Sequence, residues 1–104
     1  MTDEQLIAIA EIIGAPYPEA VINGWHIEGE GARMRLAWLV VEAMCKRGKQ
    51  VVIRSEVHKD PVDSTLERSW TVAFSRVPGE GMATTGDLAT SILWAALRAV
   101  EEAK

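Results

Sequence analysis

The chain has 104 residues, 48% of them hydrophobic, with fifteen acidic against eleven basic side chains and a net charge of −4. One domain spanning residues 1–104 is expected, able to bury roughly 60–68% of the surface its unfolded chain exposes, so neither disulfides nor metals are needed to hold a core. The mild acidity disfavours a nucleic-acid partner, the single Cys45 fits a reducing cytoplasm better than secretion, and no apolar run reaches the roughly 20 residues of a membrane span.

Met1-Thr2-Asp3-Glu4 has neither the basic nor the apolar stretch of a signal peptide. A helix is expected from about Asp3 to Ile13, because Thr2 with Gln5 makes a capping box and Leu6, Ile9, Ala10 and Ile13 recur at helical spacing. Gly14 ends it, with Pro16 and Pro18 beyond. Asn23-Gly24, between Ala20-Val21-Ile22 and Trp25-His26-Ile27, is the dipeptide of a two-residue type I′ turn and predicts a short hairpin over residues 20–27.

After the boundary Glu28-Gly29-Glu30-Gly31, a second helix is predicted over Met34 to Arg47 and stops at Gly48. Met34, Ala37, Trp38, Val41, Met44 and Cys45 form one apolar stripe, while Leu36, Leu39, Val40 and Ala43 form a second. A helix apolar on two sides needs two covers, so the second stripe predicts contact with another subunit or with the first helix. Two strands follow, Gln50 to Val57 and Ser69 to Val77, antiparallel and joined by a long exposed loop. Val51, Ile53 and Val57 share one face of the first strand; Trp70, Val72 and Phe74 share one face of the second. The last helix starts near Thr84, Thr85 or Asp87 and carries the stripe Leu88, Ala89, Ile92, Leu93, Ala96, Leu97 and Val100, with Trp94 outside it beside Thr90 and Arg98.

The fold class is therefore α+β, a small α-β-β-α sandwich in which two long helices pack an antiparallel strand pair, with an added N-terminal helix. The stretch Leu36-Ala37-Trp38-Leu39-Val40-Val41-Glu42-Ala43-Met44, the strand Trp70-Thr71-Val72-Ala73-Phe74 and the helix from Ala89 to Val100 resemble the phage ABA sandwich domain family. The chain departs from that pattern at Gly29-Glu30-Gly31, where the family helix has a Ser/Thr-Asp start, and in its long insert from Glu56 to Ser69. The resemblance implies a phage or prophage origin, and hence the cytoplasm of a bacterial host, but no catalytic residues and no cofactor.

His26, His58 and Cys45 supply no spacing that converges on a metal. The serines lie in no nucleophile elbow. Gly81-Met82-Ala83-Thr84-Thr85-Gly86-Asp87 has the glycine spacing of a P-loop but ends in a carboxylate where a lysine is needed, so it reads as a turn with a helix cap. Lys46, Arg47, Lys49 and Arg54 form a basic cluster that helix C-termini attract on their own account. Trp38 and Trp70 have the phase of core residues; Trp25 and Trp94 do not.

These readings lead to a non-enzymatic protein that acts by binding. In the first version it binds a protein, itself as a homodimer or a host factor, through Trp94, Arg98 and the stripe Leu36, Leu39 and Val40. In the second it sequesters a small anionic ligand, such as a nucleotide signal, with Thr84, Thr85, the basic cluster and Trp25.

Overall fold

The computed structural model describes residues 1–75 and 80–102. Its elements run α1 (Asp3–Ile13), α2 (Pro18–His26), α3 (Glu30–Lys46), β1 (Gln50–Lys59), β2 (Leu66–Ser75), β3 (Gly81–Thr85) and α4 (Leu88–Glu102). The α+β class and the order of helix, strand pair and helix are as expected. The predicted strand end at Val77 lies outside the described residues.

Helix α1 has the bounds and the cap its sequence predicts: the Thr2 hydroxyl accepts from the Gln5 amide and the Gln5 side chain returns to the Thr2 amide. Gly14 closes it at φ 71°, a left-handed position that glycine takes without steric cost. The expected hairpin over residues 20–27 is instead α2. Pro18 starts this helix, where a missing N–H costs nothing, and Val21 and Trp25, one turn apart, are buried together. Burying a tryptophan outweighs the roughly 1 kcal/mol that a mid-helix glycine costs, so tertiary packing overrides the turn preference of Asn23-Gly24.

In α3 the buried face is Leu36, Ala37, Val40, Val41 and Met44, columns taken from both predicted stripes. Trp38 and Cys45, expected in the core, fall outside it: Trp38 is 49% exposed and the Cys45 thiol is exposed. Helix α1 covers one flank of α3 and α4 lies beside it, which leaves the Trp38 flank uncovered. Gly48 at φ 84° ends the helix region, as read from the sequence.

The strands form one antiparallel sheet in the order β1-β2-β3. Register partners run Gln50 with Ser75 to Lys59 with Leu66 without interruption, and Trp70 with Thr85 to Phe74 with Gly81. Strand β3 replaces the turn expected from Gly81 to Asp87. The helices lie on one face, α4 over β2 and β3 and α3 against β1, with α1 and α2 packed behind them. Val72, Phe74 and Ala83 enter the core from the sheet. At Gly81 an added methyl would overlap the backbone at Ala95 and Ala99, so the glycine lets α4 lie directly on the strand.

Beyond Trp70 the β1–β2 pair leaves the helices and projects as an arm in which every residue from 54 to 68 except Asp60 is exposed. Its tip is a built turn. The Asp60 carboxylate accepts from the Val62 amide at 2.7 Å, and Ser64 takes φ 62°. The Thr65 amide and hydroxyl both donate to Asp63, which holds that carboxyl below the usual carboxylate range. The arm accounts for extents of 47 × 34 × 19 Å and a radius of gyration of 14.3 Å, against about 13 Å for a compact chain of this length.

Candidate binding surface

No element among the described residues covers the face of the sheet that points away from the helices. Its side chains come from alternate positions, which the register aligns in rows across the strands. Val52, Ala73 and Met82 make one row, with Val52 53% and Met82 59% exposed. The next row is Arg54, Thr71 and Thr84, in which the two threonine hydroxyls share a 2.8 Å hydrogen bond. Further out along the arm, Glu56 stands opposite Ser69 and His58 opposite Glu67, and the His58 ring lies 3.4 Å from the Glu56 carboxylate. The surface is therefore an apolar row, then a polar row with one cation, then a strip that carries the carboxylates of Glu56 and Glu67 and the His58 ring.

The two edges of the sheet differ. Strand β3 has five residues, and the Arg98 guanidinium donates to the Met82 carbonyl at 2.6 Å, engaging a backbone acceptor of that edge. Strand β1 has ten residues, contains no proline and pairs with β2 without a bulge.

The residues expected to bind an anion are not brought together. Trp25 is a correction: it is 4% exposed and packs in the core, with the Arg33 guanidinium 4.9 Å from its ring and donating to its carbonyl at 2.7 Å. Thr84 bonds Thr71 on the open face. The Thr85 hydroxyl is engaged by the Asp87 backbone and lies 2.6 Å from the Ser91 hydroxyl. Asp87 caps α4, its carboxylate accepting from the amide and hydroxyl of Thr90. Of the basic cluster, Lys49 is buried, Lys46 and Arg47 stay exposed at the end of α3, and Arg54 joins the open sheet face.

Leu36 and Val40 are core residues, 8% and 0% exposed, and so are not a partner surface. They belong to the hydrophobic core cluster, on a helix against which α1, α2 and α4 all pack. Leu39 is half exposed on the wall of a cleft of about 540 Å³ between α1 and α3. Trp94 is half-buried beside a second cleft of about 420 Å³ between α1 and α4, with the Arg98 guanidinium 5.9 Å from its ring. Trp70 is half-buried at the foot of the arm, under the Arg68 guanidinium at 5.6 Å.

Sequence reading missed the open face itself. Val52 carried the one available signal, an apolar residue on the strand face otherwise occupied by Gln50, Arg54, Glu56 and His58. Met82 carried none without β3. Among the described residues no three His, Cys, Asp or Glu side chains group as metal ligands, and no helix is long and apolar enough to cross a membrane. No model of a known family, no curated protein and no solved structure matches the chain.

Proposed function

We propose that the protein is a non-enzymatic binding protein, of the phage accessory kind its resemblance implies, and that it works through protein–protein association of its uncovered sheet. The observation that carries this reading is the row Val52, Ala73 and Met82, two of whose three side chains are more than half exposed on a face that no helix covers. A one-sided sheet leaves apolar area in water at a cost of about 25 cal/mol for each Å², and a partner that covers it recovers that free energy. A second copy of the chain is the partner the reading favours; a host protein is its other version.

Anion sequestration receives no comparable support, since Trp25 is buried away from Thr84 and Thr85, and those hydroxyls already have partners. Sedimentation velocity of the intact protein from low micromolar to submillimolar concentration tests the reading. A mass that rises from one to two chains is expected, and the substitution Val52→Lys with Met82→Lys should lower it. A strict monomer throughout would overturn self-association.

A further inference from the structure

We infer that two copies of this chain associate edge to edge through β1, antiparallel about a two-fold axis at Ser55, to make one continuous six-stranded sheet. The inference rests on the self-association proposed above but seats it on the β1 edge, which leaves the open-face row Val52, Ala73 and Met82 uncovered; Met82→Lys alone should therefore spare this dimer, whereas it would weaken one that buries the face. An exposed edge strand offers a row of backbone donors and acceptors to another strand, and proteins guard such edges by shortening, proline, bulges or charge. Here the guards are unequal. The β3 edge is five residues long and has Arg98 on the Met82 carbonyl, whereas β1 is ten residues long with an unbroken register and no proline. Its one guard is charge.

Those charges are arranged to accept their own copy. With Ser55 opposite Ser55 of the second copy, Arg54 faces Glu56 and Glu56 faces Arg54, so both salt-bridge partners fall on the open face of the joined sheet. On the helix side Ile53 faces Val57 and Val57 faces Ile53. Val57, 51% exposed in the single chain, gains a cross-strand apolar partner in this way. An axis perpendicular to the sheet keeps each pair on one face, so the centre can move only by whole residues. Centring on Arg54 sets two arginines opposite each other, and centring on Glu56 sets two glutamates opposite each other; like charges in that position are destabilising. The same strip of charge that repels a generic strand thus favours the Ser55-centred register over the two registers next to it.

Charge reversal with complementation tests the register. Arg54→Glu alone places glutamate against Glu56 twice in each dimer, and Glu56→Arg alone places arginine against Arg54 twice, so each variant should dimerise at least about tenfold more weakly than the parent. Mixed in equal amounts, the two variants should recover parent affinity as a heterodimer, because both cross-strand pairs are again of opposite charge; an effect confined to one chain would not be rescued. A crosslink gives a second readout. In a Cys45→Ser background, Ser55→Cys should form an intermolecular disulfide on mild oxidation, since directly opposed strand residues lie within disulfide reach. His58→Cys in the same background should not, because the two copies of that position stand about 20 Å apart in this register. A dimer that keeps its affinity in both single reversals, or that crosslinks through His58→Cys and not Ser55→Cys, would overturn this register and leave self-association standing. A parent protein that stays monomeric at submillimolar concentration would overturn both.

Discussion

The Ser91 hydroxyl is fully buried, donates to the Trp70 carbonyl on β2 at 2.8 Å and accepts from the Thr85 amide on β3 at 3.1 Å, so one small side chain ties α4 to two strands. Ser91→Ala takes this partner from a part-buried acceptor and a part-buried donor, and the expected loss is about 1–2 kcal/mol. Urea unfolding checks it: the midpoint should fall while the slope, which reports the surface exposed on unfolding, stays constant. The tryptophans give a sharper contrast, because Trp25, expected in a hairpin and outside the core, is buried, while Trp38, expected in the core, is half exposed. Trp25→Ala should cost about 3–5 kcal/mol, as expected for a large aromatic with 4% exposure, whereas Trp38→Ala, at 49% exposure, should cost about 1–2 kcal/mol. Equal losses at the two positions would contradict the observed packing of α2 and α3.

At the scale of elements, two glycines report on two of the places where sequence reading and structure diverge. Gly24 lies in the middle of α2 with only ordinary contact around an added methyl, so Gly24→Ala should stabilise the protein by about 0.5–1 kcal/mol through helix propensity. In the type I′ turn that Asn23-Gly24 suggests, the same change would force alanine to positive φ and destabilise, so the sign of the melting shift discriminates helix from hairpin. Gly81→Ala should cost about 3 kcal/mol or more, because relief requires α4 to move as a body off β3. Helices α1, α3 and α4 and strands β1 and β2 were legible because their signals are local: a capping box, helical apolar spacing, and alternation bounded by glycine. What was not legible depends on neighbours. Helix α2 is decided by the burial of Val21 and Trp25, β3 by its pairing with β2 and its closeness to α4, and the buried face of α3 by which flanks α1 and α4 take. The binding surface was hidden for the same reason, since Val52 and Met82 become a row only once β3 exists.

For the molecule as a whole, the arm and the body have separate energetics. The arm from residue 57 to 68 places no side chain in the hydrophobic core, and a two-stranded hairpin without a packed face is marginal in water. The body holds the core cluster and the four helices of the described residues. Glu56 and Ser69 are register partners, so an Asn-Gly turn can replace residues 57–68 and close the hairpin at that pair without disturbing the strands below it. The shortened protein is expected to melt within about 5 °C of the parent, because it loses only exposed contacts. Its self-association should nevertheless collapse. The Ser55-centred register needs Val57 opposite Ile53, and the shortened β1 keeps only the pairs around Arg54 and Glu56. Thermal unfolding and sedimentation of the same preparation separate the two effects. A large drop in melting temperature would make the arm part of the cooperative fold, and an unchanged dimer would move the interface off β1 to another surface of the protein.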